Sequence, residues 1–295
     1  MTMTQVHAPP TTHGSAVSVD PLVAETIPEP PQRFRPPRWT SVAIVVALLG
    51  LAVNGLFRMD IEPGRIAQAP SNLWDFLTGA VPPNLDRWPN LAEAMWETLE
   101  MALIGTVIGV VLSVPASLLA AHNTTPFLPL ALGVRLILTT IRAVPDLVWA
   151  LIFVMAVGLG PLAGILAIAI DVLGFAGRFF AERIEEVERG PIDALRSTGA
   201  SRVAVIVDAV LPASFASFTA TSLYCLEKSI RGATILGMVG AGGIGMELTP
   251  AFTLRQWDTA MTIILLILAV VICAEQLSSM VRRRMLGSEQ LARAM

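Results

Sequence analysis

The chain has 295 residues, of which 54% are hydrophobic and only 15% charged, with a formal net charge of −3 and a mean hydropathy of +0.66. A soluble domain carries about 25% charged residues, so this composition points to a membrane protein, and its charge balance gives no reason to expect nucleic acid. Cys225 and Cys273 sit in apolar runs and make no disulfide framework, while His7, His13 and His122 are too scattered to form a metal-ligand set.

Residues 1–38, which include "PEPPQRFRPP", are rich in Pro, Thr and Ser and lack an apolar period. They read as a disordered tail, and without an early apolar run they do not read as a cleavable signal peptide. Six apolar spans follow, judged against the roughly 20 helical residues that cross a bilayer. The first is 41–57. The 58–94 segment after it is a loop, in which "NLWDFLTGA" reads as a short helix lying on the membrane with Trp74 at the interface. The second span is 95–121, with a kink expected at Pro115. The third, 128–158, is too long for an upright crossing and is interrupted by Arg142, Pro145 and Asp146. It reads as one helix bent at Pro145, two short helices being the alternative. Spans 162–181, 209–230 and 257–281 complete the set.

Arginine placement orients these spans. Arg33, Arg35 and Arg38 precede the first span, Arg183, Arg189, Arg196 and Arg202 separate the fourth from the fifth, and Arg282, Arg283 and Arg284 follow the last. With six spans all three groups share one side, which is then cytoplasmic, as are both termini; the 58–94 loop falls outside.

Between the last two spans lies "GMVGAGGIGMEL", where Gly240, Gly242 and Gly245 match the G-x-G-x-x-G spacing of a dinucleotide loop. That loop requires a strand before it and a crossover helix with a second strand after it. Here apolar helical spans flank it instead. The glycines indicate close-packed, non-helical backbone, tolerated at membrane depth only where protein or a watery cavity shields it; a mobile outer loop is the plainer alternative.

The 188–212 segment, "ERGPIDALRSTGASRVAVIVDAVLP", lies on the Arg-rich side. Pro191 suits a first helical position, Asp193 a first turn, Gly199 a left-handed helix end and Ser201 the cap of a second helix. Two short cytoplasmic helices with a tight bend follow from this reading.

Here the chain resembles a known family. "DALRSTGASRVAVIVDAVLP" is similar to the EAA loop of binding-protein-dependent ABC importer permeases, with Asp193, Ala194 and Leu195 at E-A-A, Gly199 on the glycine, Ala209 in place of Ile, and Leu211–Pro212 at the end. Together with "IRAVPDLVWALIFVMAVGLGP" and "RGATILGMVGAGGIGMEL", it most resembles the phosphonate/phosphate branch. The resemblance implies an all-α membrane protein with the type I ABC importer permease fold. It has a five-helix core over 95–285, to which span 41–57 is an addition. It also implies a homodimer in the bacterial cytoplasmic membrane, two P-loop ATPase subunits that bind ATP and Mg, and an extracytoplasmic solute-binding protein. The ATPase-coupling residues would be Asp193, Ala194, Leu195, Arg196, Gly199, Ala200, Ser201, Arg202, Leu211 and Pro212. The single lysine, Lys228, follows Glu227, so the sequence holds no Gly-Lys-Ser/Thr phosphate loop and no motor of its own.

Ionisable groups inside a bilayer cost about 2.5–3.5 kcal/mol each on insertion scales and persist where they pair or line a watery path. Arg142, Asp146, Asp171, Glu227, Lys228 and Arg231 are of this kind. Arg142 with Asp146, and Glu227 with Arg231, have the i,i+4 spacing of a same-face pair; Asp171 stands alone in its span. These groups either fix helix register as ion pairs or, in Arg142, Asp146, Glu227, Lys228 and Arg231, line a path for a phosphoryl oxyanion. The loop Gly237, Met238, Val239, Gly240, Gly242, Gly243, Ile244 and Gly245 would form an outer gate, sealed by Met238, Val239 and Ile244. The expected function is the permease subunit of an ATP-driven importer of phosphonate, phosphate or a related oxyanion. Alternatives are a same-fold permease for methionine or a quaternary amine, a membrane-embedded enzyme, or a passive channel. No catalytic residue, metal site or nucleic-acid partner is expected.

Overall fold

The computed structural model describes residues 39–58 and 63–294, and in these every regular element is a helix. The expected tail, 1–38, lies outside the described residues. The chain divides into two units, Met1–Ala67 and Gln68–Met295. Within the first lies helix α1, Trp39–Arg58, of 20 residues. Helix α2, Pro63–Gly79, begins in the first unit and ends in the second, so much of the expected loop is helical.

In the second unit α3, Trp88–Ala120, is one helix through Pro115, which does not interrupt it. The expected third span is two helices, α4, Leu128–Ala143, and α5, Asp146–Val157, which meet at 91°. Proline disfavours the helical conformation in the residue before it, and Val144 is extended at φ −85°, ψ 124°. The Ile141 carbonyl closes the corner by accepting twice, from the Val144 N–H and from the Trp149 indole N–H, each at 3.3 Å.

Helix α6, Pro161–Glu185, is the centre of the unit, touching α3, α4 and α5. Gly105 and Gly109 of α3 let it approach: a Cβ on Gly109 would sit 2.6 Å from the Val172 Cβ and one on Gly105 2.8 Å from that of Ile168. Without a hydrophobic driving force in lipid, such backbone proximity is a main source of helix association. On the other side Gly174 and Gly177 receive Ile141 and Leu138 of α4. After α6 come α7, Arg189–Ser197, and α8, Arg202–Val205. A π-helical turn over Ile206–Val210 leads into α9, Leu211–Met238, then α10, Gly245–Thr253, and α11, Trp257–Ala294. A buried hydrogen bond, Thr106 Oγ1–H to Ser229 Oγ at 2.9 Å, ties α3 to α9. Among the described residues four helices are long and apolar enough to cross a membrane, or five if α4 and α5 count as one broken span; α1 is a shorter apolar helix.

Candidate functional site

Three regions carry the residues singled out by sequence. The first is the elbow. Helix α7 starts at Arg189, two residues earlier than expected, so Pro191 is its third residue and Asp193 lies beyond the first turn. Pro191 is still harmless, because the first four N–H groups of a helix have no internal acceptor. Asp193 instead stands 3.9 Å from Arg196, both well exposed. The bend itself is as read: Gly199 has φ +81°, its N–H donates to the Arg196 carbonyl at 3.0 Å, and the Ala200 N–H donates to Leu195 at 3.2 Å. This pair of bonds is the Schellman closure of a helix end. Ser201 then caps α8, its hydroxyl accepting from the Ala204 N–H at 3.2 Å. The second helix is not short, since α8 runs through the π turn into α9. Leu211 and Pro212 therefore open a long helix, and Arg202–Met238 behaves as one span. The wider π turn precedes Pro212, whose missing N–H would otherwise leave a gap in a regular ladder.

Behind the elbow lies a cleft of about 450 Å³, lined in part by His122, Glu185, Arg189, Arg196, Ala200 and Arg202. Its far wall is the α3–α4 turn. His122 and Arg135 both engage the Glu185 carboxylate, and Asn123 donates to the Ile184 carbonyl at 2.7 Å. The sequence reading missed this clamp, because Glu185 lies 50 or more residues along the chain from His122 and Arg135.

The second region is the set of charges at membrane depth. Lys228 is held by both oxygens of Asp171, at 2.7 and 2.9 Å, so Asp171 is not alone. Glu227 is buried and takes Arg231 at 3.1 Å, as its spacing predicted, and Arg282 at 3.9 Å. The expected Arg142–Asp146 pair is absent among the described contacts, because the corner at Val144–Pro145 destroys the helical i,i+4 relation. The Arg142 guanidinium lies instead over the rings of Phe175 and Phe179, at 5.1 and 5.4 Å from their centroids. Asp146 heads α5, with an oxygen 3.7 Å from where a Cβ on Gly232 would be. The five residues thus divide into three paired charges on α9, an arginine held by aromatic faces on α4, and Asp146 at the head of α5.

The third region is the glycine loop. Gly240, Gly242 and Gly243 have φ of +94°, +93° and +72°, values that exclude most side chains. The Gly243 N–H donates to Glu97 at 3.1 Å, the Ile244 N–H to Thr98 Oγ1 at 2.8 Å, and Gly160 donates to the Gly240 carbonyl at 2.9 Å. Gly237 and Gly245 pack backbone to backbone, with Gly245 against the Thr234 carbonyl. The loop is therefore pinned to α3 and to the start of α6. Of the three side chains expected to seal a path, Met238 is exposed and Val239 half-buried. Ile244 is fully buried and packs with Leu91, Met95, Ala260 and Ile263, leaving it unable to face a path. No strand flanks the loop among the described residues; the short α10 follows it instead.

Known proteins share these features. The family model described as "Binding-protein-dependent transport system inner membrane component" matches residues 113–287. The chain is 40% identical over 205 residues to the phosphite transport system permease protein PtxC of Stutzerimonas stutzeri, covering 69% of this chain and 74% of that one. It is 36% identical over 239 residues to the phosphate-import permease protein PhnE of Mycolicibacterium smegmatis, covering 81% of this chain and 45% of that one. Among solved structures, a chain of the MetNI methionine ABC transporter in an inward-facing conformation superposes with a TM-score of 0.61 at 20% identity. That match covers 68% of this chain and 99% of that one, and shows a shared fold.

Proposed function

We infer that this chain, which belongs to the family of binding-protein-dependent transport system inner membrane components, is the membrane-spanning permease subunit of an ATP-driven importer for phosphate, phosphite, phosphonate or a related oxyanion. The observation that carries the reading is the elbow: a Schellman-closed helix end at Gly199 and a capped restart at Ser201, running without a break into the long α9. A force applied to α7 would be delivered along a rigid helix to Glu227, Lys228 and the glycine loop. Residues 193–202 with Leu211 and Pro212 are the surface on which an ATPase subunit would act. ATP and Mg would be bound by that partner, since the chain's single lysine is not part of a phosphate loop.

In the full assembly two copies of this chain would meet two ATPase subunits and one external solute-binding protein, in the inner membrane of a bacterium. Helix α1 is read as a sixth span, which puts both termini and the elbow in the cytoplasm. Asp171–Lys228 and Glu227–Arg231 would hold register while the copies rock between inward- and outward-open states, and Arg142, Asp146, Glu227, Lys228 and Arg231 would border the path. The pinned glycine loop would close its outer end through Met238.

The test is uptake of phosphite and phosphate by cells expressing this chain with its binding protein, with and without the ATPase. Uptake should require the ATPase. Uptake at the full rate in its absence would refute a motor-driven permease.

A further inference from the structure

On the elbow side of the molecule, α4, α6, α9 and α11 enclose an open cavity of about 510 Å³. Its polar lining comprises Arg142, Arg282, Ser217, Thr221 and Tyr224; no carboxylate lines it among the described residues. Phe175 and Phe179 complete the wall beneath Arg142. We propose that this cavity is a binding site for a tetrahedral oxyanion of the phosphate type, in which Arg142 and Arg282 are the charge-bearing contacts and the three hydroxyls complete the oxygen shell.

The chemistry of the lining carries this. The other cations at this depth are committed: Lys228 to both oxygens of Asp171, and Arg231 to Glu227 at 3.1 Å. Arg142 has no carboxylate within 4.0 Å among the described residues and is exposed to the cavity. Two ring faces hold it in place, which localises a cation without neutralising it. Arg282 has only a distant carboxylate, Glu227 at 3.9 Å. Ser217, Thr221 and Tyr224 lie at i, i+4 and i+7 on one face of α9, and none of their hydroxyls has a hydrogen-bond partner among the described residues. A guanidinium presents paired N–H donors that match two oxygens of a tetrahedral anion, and a hydroxyl can serve a third. The cavity is open, so an anion held there is in reach of release, as a transport path requires.

Depth places the site late in the path. Arg135, seven residues before Arg142, binds Glu185 at the elbow end of α6, so Arg142 stands roughly 10 Å above that end. The assignment of the anion as cargo rests on the importer reading; the assignment of the site does not. Sequence reading could not find it, because Arg282 counted only as one of three arginines marking the cytoplasmic side.

The test uses the full chain assembled with its ATPase in a phospholipid-free maltoside detergent, with radiolabelled inorganic phosphate as probe in equilibrium dialysis. Saturable binding is expected, weakened at least tenfold in R142Q/R282Q and two- to fivefold in T221V/Y224F, which keeps shape and charge. R255Q, at the opposite end of the molecule, should bind as the wild type does. Unchanged binding in R142Q/R282Q overturns the site. So does native mass spectrometry showing a phospholipid in the wild type, lost from the double variant, that saturating phosphate fails to displace. The two readings separate. Phosphate binding that is sensitive to R142Q/R282Q, in an importer that moves no oxyanion, keeps the site and removes the cargo reading. Normal uptake by R142Q/R282Q at limiting phosphite removes the site's role in carrying cargo and keeps the importer.

Discussion

Asp171 and Lys228 show how single residues hold this protein in register. Neither has a partner within its own helix, and each would be costly in hydrocarbon alone. Together they make a two-oxygen contact between α6 and α9. The Asp171 side chain is 16% exposed and that of Lys228 34%, so solvent relieves part of the desolvation but not all of it. Removing one partner leaves the other uncompensated. Asp171→Asn should therefore lower stability by about 1–3 kcal/mol, less than the 3–5 typical of a fully buried pair. Adding Lys228→Met to that variant should restore most of it. Thermal unfolding of the purified protein in detergent measures both, and equal melting temperatures for wild type and Asp171→Asn would show that the pair contributes nothing.

At the scale of elements, the elbow is a joint whose conformation depends on one backbone angle. No atom lies within 4 Å of a Cβ built on Gly199, so a side chain there meets no obstacle; its penalty is the φ of +81° alone. A β-branched residue at such an angle costs on the order of 1–3 kcal/mol. Gly199→Val should therefore leave the permease folded but tilt α7 away from its position. ATP-driven uptake should fall at least fivefold while membrane-inserted protein stays within about twofold of wild type. Uptake at the wild-type rate would show that the bend is not part of the coupling.

The elbow was legible in sequence because its signals are local: a glycine that ends a helix and a serine that caps the next. Long apolar runs likewise marked the spans, and α3, α6, α9 and α11 lie where those runs are. The misses have a common cause, which is that spacing rules presuppose the element they are applied to. The Arg142–Asp146 pair assumed a helix that Pro145 breaks. The Asp171–Lys228 pair is separated by 57 residues and leaves no periodic trace. Helix α10 escaped notice because it is nine residues long and contains Glu247 and Pro250. Its apolar Ala251 and the neighbouring Ile244 nevertheless pack into a second core with Leu91 and Ile263.

At the scale of the second unit, the two ends of the helical bundle differ in kind. One end is pinned by long-range polar contacts around the glycine loop: Arg87 to Glu247 at 2.8 Å, Asn84 to Asp258 at 3.2 Å, and Glu97 to Gly243. The other carries the elbow, with its exposed Arg196 and Asp193, over a cleft backed by the Glu185 clamp. A tied end and a presented end are what a lever needs, with α9 as the arm between them. Covering the elbow with an ATPase would give its exposed charges partners beyond the 3.9 Å contact that Asp193 and Arg196 make with each other.

The central claim is that a separate ATPase grips this elbow from the cytosol. A photo-crosslinking residue placed at Arg196, whose side chain is 58% exposed, tests it directly in inside-out vesicles containing the whole importer. The account predicts a crosslink to the ATPase subunit on illumination, lost when that subunit is stripped from the cytosolic face. A probe at this position that reacts only from the exterior, or that never captures the ATPase in a transport-active complex, would contradict it.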